Sequence, residues 1–418
     1  MFPDKAGHPI SPPSGPAVIM AETRSTGKAV MENLDQLDPI YLDYNATTPI
    51  DPRVADTMIP FLREHFGNPS SSHVLGRRTR AAVEKARGQA AALLGAQPEN
   101  IIFTSGGTEA NNHAIIGAAL ANQDRGRHIV TTAIEHPAVS DVCRHLETRG
   151  FATSFVPVDR FGRTDPDQVA AAFTDQTVLV SVMHANNEVG TLQPVAEIAA
   201  RARARGILSH SDCAQSAGKI SVTLDGLGVD MISVAGHKLY APKGVGLLCL
   251  RDGVDIPNLM FGAPHEHGRR PGTENLLEIV GLGTACELAG ADLEEEGARL
   301  AILRDRLQQG LLEVFPRARV NGHPTLRLPN TLSISWPDLP ASAIIRNTPQ
   351  VAFSAGAACH GDGGVTISPV LAAMGVAEEF ALGTIRLSVG RMTSDADVVS
   401  GLSAIIEGVT AALAERQA

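Results

Sequence analysis

The 418-residue chain predicts an α/β protein with a mostly parallel seven-stranded sheet and a smaller α+β C-terminal domain. Three observations carry that expectation. Short apolar runs alternate with helix-length amphipathic stretches through residues 101–250, and repeated strand–helix–strand order gives a parallel sheet covered by helices on both faces. Candidate chemical residues recur just after the strand-like runs, where open α/β sheets place their ligands. Beyond residue 293 the alternation gives way to a long charged helix, a single strand and a closing helix.

Taken in order, residues 1–37 carry Pro3, Pro9, Pro12, Pro13 and Pro16 with little apolar periodicity and predict a disordered tail. They lack the apolar core and cleavage pattern of a signal peptide, and Met20 or Met31 offers an alternative start. Residues 38–50, opening on Pro39-Ile40-Tyr41-Leu42-Asp43, form a segment expected to pack on the small domain. The large domain is placed at 51–293. It opens with helices over 51–66 and 72–94, the second showing Ala, Val and Leu on one face. Strands are expected at 101–104, 128–132, 152–156, 178–183, 207–211, 231–234 and 246–250. Helices over 107–121, 137–148, 166–173 and 194–205 separate most of them. The small domain, 294–418, is given a helix over 294–312, a strand over 330–335 and a helix over 395–415.

Composition narrows the function classes. Hydrophobic content of 44% with 19% charge is ordinary for a soluble globular protein. A net charge of −10 gives no reason to expect a nucleic-acid partner or an anionic membrane surface. No apolar run approaches the about 18 residues that span a bilayer. Cys143, Cys213, Cys249, Cys286 and Cys359 lack CxxC spacing, which argues against a disulfide framework or a metal site and for a reducing cytoplasm.

The most informative tripeptide is Gly236-His237-Lys238, directly after the apolar run 231–235. A lysine at the end of a buried strand needs a partner other than water. One answer is an imine to an aldehyde cofactor; the other is an ordinary pairing with a carboxylate. Asp212 ends another apolar segment, as a protonated pyridine nitrogen requires. Ile101-Ile102-Phe103 runs into Thr104-Ser105-Gly106-Gly107-Thr108, a strand, glycine turn and helix start of the kind that binds phosphate. His136 follows a strand, where it either stacks on a ring or caps the next helix. Asn187 and Gln215 offer amides to a ring oxygen or serve their own turns. Arg269 and Arg270 offer donors to a phosphate or a neighbouring subunit, or form a basic turn. Cys359 is flanked by small residues and His360 (Ala357-Ala358-Cys359-His360-Gly361), which suits a reactive thiolate; a buried inert thiol is the alternative. Arg386, within a strand-like run, suits bidentate capture of a carboxylate or a structural ion pair.

From Tyr41 to Arg391 the chain resembles the class V pyridoxal-phosphate enzymes of the cysteine desulfurase and selenocysteine lyase family. The motifs that carry the resemblance are DYNATTP, FGNPSSSH, FTSGGTEANN, EHPAV, NNEVG, SDCAQ, GHK, RPGTEN, AACH and RLSVGR, in family order. It implies the aspartate aminotransferase-like fold and pyridoxal 5'-phosphate as cofactor. By resemblance, Lys238 carries the imine and takes the substrate Cα proton, Asp212 pairs with the pyridine nitrogen, and His136 stacks on the ring. Asn187 and Gln215 sit near the phenolic oxygen. Gly107, Thr108, His237 and, from a second copy in a homodimer, Thr273 hold the phosphate. Asn45 and Arg386 bind the substrate, and Cys359 is the nucleophile. The implied reaction removes sulfur or selenium from L-cysteine or L-selenocysteine, leaves L-alanine, and hands the chalcogen to an acceptor protein.

Two departures stand out. Ala235 occupies the place where most desulfurases carry a serine before Gly-His-Lys, and the loop at Cys359 is similar to that of animal selenocysteine lyases, which tilts the expectation toward that activity. Within the same fold, aminotransferases, kynureninases and cysteine-sulfinate lyases are the enzymatic alternatives. A non-catalytic sulfur-carrier scaffold is the other.

Overall fold

The computed structural model describes residues 38–359 and 365–417. The expected N-terminal tail, residues 1–37, lies outside them, as does His360 beside the candidate nucleophile.

Seven strands form the principal sheet: β2 (Ile101–Thr104), β3 (His128–Thr132), β4 (Ala152–Val156), β5 (Thr177–Ser181), β6 (Leu208–Asp212), β7 (Met231–Ala235) and β8 (Gly246–Leu250). A short first strand, β1 (Ile40–Tyr41), lies outside it and pairs in parallel with β11 (Val351–Ala352). The order across the sheet is β2-β8-β7-β6-β5-β3-β4. All run parallel except β8, which is antiparallel to both neighbours. Apart from the edge strand β4, their near-continuous burial is what a sheet covered on both faces requires.

One face is covered by α2 (Val74–Leu93), α6 (Val195–Arg203) and α7 (Leu276–Ala291), whose buried faces include Val83, Ala86, Ala90, Ile198, Ala202, Ile279 and Leu282. Helices α2 and α7 touch so closely that a Cβ on Gly283 would lie 2.5 Å from Ala86 Cα. The other face carries α3 (Gly107–Ala121) and α4 (Pro137–Glu147), through Ala114, Ile115, Ala118, Val139, Val142 and Leu146. Helix α1 (Pro52–Arg63) starts from Asp51, whose side chain accepts from Arg53 N, with proline at the first turn. A six-residue helix, α5 (Pro166–Ala171), joins β4 to β5.

The second core surrounds a four-stranded antiparallel sheet of β9 (Arg319–Asn321), β10 (Thr331–Ser335), β12 (Ser354–Ala355) and β15 (Thr384–Ser388), in the order β12-β15-β10-β9. Helices α8 (Leu293–Val314) and α9 (Asp395–Gln417) bury Leu300, Leu303, Leu307, Leu311, Val398, Ile405 and Val409 there. By length and hydropathy, α9 matches a membrane-crossing helix over Asp395–Arg416, unlike the sequence expectation. Its buried face belongs to this core.

A buried ion pair fastens the 252–275 connection to the sheet. Arg87 of α2 and Glu266 form two parallel bonds of 2.8 Å. Glu266 also accepts from Phe103 N at 2.9 Å, and Arg87 donates to Ile101 O at 3.0 Å. Both side chains are almost fully buried, and the other carboxylate on Arg87, Glu84, is half exposed and meets only Nε at 3.2 Å, so removing Glu266 leaves a buried charge poorly compensated. Glu266→Ala is therefore expected to lower unfolding free energy by about 3–5 kcal/mol, read from the urea midpoint. An unchanged midpoint would remove this pair from the fold's supports.

Candidate active site

The parallel strands bring Thr104, Thr132, Ser181, Asp212 and Ala235 to one edge of the sheet. A cavity of about 220 Å³ opens there, lined by Ala46, Gly107, Thr108, Asn111, His136, Met183, Asn187, Asp212, Gln215, Ala235, His237 and Lys238 among others. Most are residues that the sequence singled out, and the fold gathers them from five strand ends.

The β2–α3 turn supplies the first wall. Gly106 caps α3 with φ 153° and no side-chain cap. The N–H groups of Gly107 and Thr108 carry no hydrogen bond among the described residues, which leaves them, with the helix dipole, available to an anion. Asp212 ends β6. Its Oδ2 accepts from Asn111 Nδ2 at 2.6 Å and its Oδ1 from Ala214 N at 2.9 Å.

Lys238 sits in a single 3₁₀ turn, Gly236–Lys238, after β7. The turn is tied to the 45–48 segment: the His237 carbonyl accepts from Thr48 N at 2.9 Å and Thr48 Oγ1 at 3.0 Å, and His237 Nδ1 meets Thr47 Oγ1 at 3.2 Å. Tyr240 follows with φ 63°, its N–H donating to Thr48 Oγ1 at 2.9 Å. Lys238 Nζ has no hydrogen-bond partner among the described residues. Burial pushes its pKa down to about 8; Asp212 opposes the shift and Arg386 adds to it.

His136 caps α4, its Nδ1 accepting from Ala138 N at 3.1 Å. The capping role and a place on the cavity wall belong to the same ring. That bond makes Nδ1 an acceptor, and burial lowers the imidazole pKa. Just before it, Glu135 is buried beneath the cavity, accepting from Thr132 Oγ1 at 2.6 Å and Met183 N at 3.0 Å. Burial pushes its carboxyl up to about 8.

Asn187 lines the cavity, and its side-chain amide has no hydrogen bond among the described residues. Asn45 stands behind the wall rather than in it. Its Nδ2 donates to Thr331 Oγ1 at 2.8 Å and Asn187 O at 3.2 Å, and its Oδ1 accepts from Asn330 Nδ2 at 3.0 Å. Arg386 also stands beside the cavity, already paired: Nη2 donates to Asp43 Oδ1 at 2.7 Å and Ser354 Oγ at 2.9 Å, and Nη1 to Asn187 O at 3.0 Å. Its Nε is buried and unpartnered among the described residues. Thr273 is exposed and not on this chain's cavity. Arg269 and Arg270 are engaged within the chain: Arg270 holds Glu109 and Arg269 reaches the Glu99 carbonyl. This is the basic-turn reading.

Cys359 ends β13 (Ala357–Cys359), which pairs antiparallel with β14 (Val365–Ile367); its thiol is not among the described side chains. Both feet of this ribbon are held. Ser354 Oγ bonds Asp43 at 2.8 and 2.9 Å. Ser368 Oγ bonds the carboxylate of Glu188, the residue after Asn187.

Comparison with known proteins places this arrangement. The family model described as aminotransferase class-V matches residues 40–400. The chain belongs to the class V aminotransferase family.

This family member is 43% identical over 370 residues to the cysteine desulfurase IscS of Methanosarcina thermophila, covering 88% of this chain and 91% of the relative. A solved NifS-like protein superposes with a TM-score of 0.84 at 37% identity, over 89% of this chain and 99% of that one. A structure of SspA in complex with cysteine superposes with a TM-score of 0.73 at 34% identity, over 84% and 98%. The α/β fold with its mostly parallel central sheet is the fold of these relatives.

Sequence reading assigned no role to Asn111, Lys219, Asp43 or Glu188. Asn111 had a usable signal, since it lies one turn into the helix that begins at Gly107, where its side chain shares the cavity with Asp212. The others are recognisable only through partners distant in sequence or through burial.

The depressed amine is testable. With a pKa near 8 rather than the ordinary 10.5, Lys238 is mostly neutral and nucleophilic above pH 8. Its acylation in the cofactor-free protein, followed by mass spectrometry, is expected to reach half its plateau rate near pH 8. In the folded state the amine binds its proton less tightly than in the unfolded chain, so this group's contribution to stability rises between about pH 8 and 10.5. A half-plateau near 10.5 would contradict the burial argument.

Proposed function

We propose that this chain is a pyridoxal-phosphate-dependent cysteine desulfurase that moves sulfur from L-cysteine to Cys359. The observation that carries the reading is the free Lys238 amine in one cavity with a doubly held Asp212 and an uncapped helix start. The donor set fits the cofactor on the molecule's own chemistry. Unsatisfied N–H groups at Gly107 and Thr108, with His237, suit its phosphate. Asp212 suits a protonated ring nitrogen, His136 the ring face, and Asn187 and Gln215 the phenolic oxygen. Thr273, exposed on this chain, is assigned to the phosphate of a second copy, which makes a homodimer part of the proposal.

When bound, the cofactor supplies an aldehyde that condenses with amines and a cationic ring that takes up electron density. The chain's residues do the rest. Lys238, displaced by the substrate amine, becomes the base that receives the Cα proton at Nζ, and a pKa near 8 suits that exchange. Asp212 keeps the ring nitrogen protonated through its negative charge. The substrate carboxylate is assigned to Arg386, whose buried Nε is an open donor, with Asn45 fixing the adjacent wall. The Cys359 thiolate attacks the substrate sulfur. The new S–S bond forms as the C–S bond breaks, the carbon gains a proton, and the products are L-alanine and a Cys359 persulfide. A thiol-bearing acceptor protein then takes the outer sulfur.

In this division of labour residues 51–293 hold the cofactor and residues 294–418 present the nucleophile, with 38–50 joining the two. A reducing, cytoplasmic setting suits the chemistry, and Cys143, Cys213, Cys249 and Cys286 are free and buried.

The test is alanine formation by the cofactor-loaded protein from L-cysteine and L-selenocysteine in parallel. Turnover of cysteine is expected. Cys359→Ala is expected to reduce it by at least about a hundredfold while keeping the cofactor's visible absorbance; Lys238→Ala loses both. Silence on cysteine with turnover of selenocysteine would replace the sulfur assignment by a selenium one. A fully active Cys359→Ala would remove the nucleophile.

A further inference from the structure

Lys219 is a buried cation in contact with the site, and the proposed mechanism leaves it without a task. It is 6% exposed. Its Nζ donates to Gln215 O at 3.0 Å and Gln215 Oε1 at 3.1 Å. No carboxylate forms an ion pair with it among the described residues. Its charged neighbours are Lys238 and Arg386, and burial with their like charge pushes it down to about 7.

The other end of the Gln215 amide meets the opposite kind of group. Nε2 donates to the Asn45 carbonyl at 3.0 Å. A flipped amide would set its NH₂ against an amine that donates and its oxygen against a carbonyl that only accepts. Both buried bonds would be lost, and like would face like at either end. The orientation is therefore fixed by the network and not by the Gln215 rotamer alone. It leaves one N–H of Nε2 for the cavity that Gln215 lines.

We propose that Lys219 is a positioning residue that locks the Gln215 amide so that it presents only a donor to the group bound in the cavity. The inference rests on the cofactor reading above, in which that group is the phenolic oxygen of pyridoxal phosphate. A fixed donor there favours the oxygen's anionic form.

The experiment is the pH titration of the visible absorbance of the cofactor-loaded protein, with Lys238, Asp212, His136, His237 and Arg386 left intact. Lys219→Met is expected to raise the titration midpoint by about half a unit or more, as loss of a donor to the anion should. Gln215→Leu is expected to raise it similarly, and the double variant to add nothing further, as residues acting through one bond do. Lys219→Gln, which keeps a side-chain donor without the amine's charge, is expected to stay near the wild-type midpoint and also serves if the methionine variant fails to fold. A Lys219→Met midpoint equal to wild type overturns the inference. So does a shift that adds fully to that of Gln215→Leu, or one that Lys219→Gln reproduces, because the amine's charge would then act directly. A wild-type protein that binds pyridoxal phosphate with no visible band overturns the cofactor reading together with this one.

Discussion

The charged couple of Asp212 and Lys238, at the carboxyl edge of a parallel sheet, sets the demands that the surrounding residues meet. Burial favours the neutral form of an amine, and the depressed Lys238 pKa shows that burial wins even with a carboxylate nearby. Asp212 finds its partners without a cation: a side-chain amide from α3 and a backbone N–H two residues on. The aspartate is thus satisfied without consuming the lysine, whose Nζ has no hydrogen-bond partner among the described residues. Had the two formed a tight ion pair, neither would be available to a ligand.

The lysine turn is held from the other core. The 43–51 segment runs between the two sheets and commits most of its polar side chains to bridging. Asp43 meets Arg386, Asn45 meets Asn330 and Thr331, Thr48 meets the His237 carbonyl and Tyr240 N, and Asp51 meets Arg391 at 2.8 Å. Arg391 also lies over the Tyr240 ring, 4.5 Å from its centroid, and its N–H reaches Tyr240 Oη at 2.6 Å. Tyr240 adopts a left-handed backbone that costs a bulky residue on the order of 1–3 kcal/mol, and these contacts offset it. The geometry at Lys238 therefore depends on residues that are neither in the principal sheet nor near it in sequence.

This explains which parts were legible in the sequence. Strand ends, the glycine turn before α3 and the Gly-His-Lys turn are local patterns, so Asp212, Gly107, Thr108, His136 and Lys238 were found and share one cavity. Helix α7 was missed because it is buried along most of its circumference, from Ile279 to Ala289, and so shows no amphipathic period. Arg386 was read for its chemistry but not for its company, since Asp43 lies 343 positions away. Lys219 looks like any lysine in a polar turn; only its burial, a property of the packed molecule, distinguishes it. The basic pair Arg269–Arg270 kept several open readings for the same reason, because Glu109 and the Glu99 carbonyl become their neighbours only on folding.

The two serines at the feet of the β13–β14 ribbon join the ribbon to the cavity. Ser354 and Ser368 are bonded to Asp43 and Glu188, side chains set by the pocket's own framework. Both points where the ribbon leaves and rejoins the rest of the chain are thus tied to residues that also brace the cavity. The cavity walls and the ribbon that carries Cys359 are therefore two parts joined at two side-chain contacts: one is built at the sheet edges, the other is tethered to it.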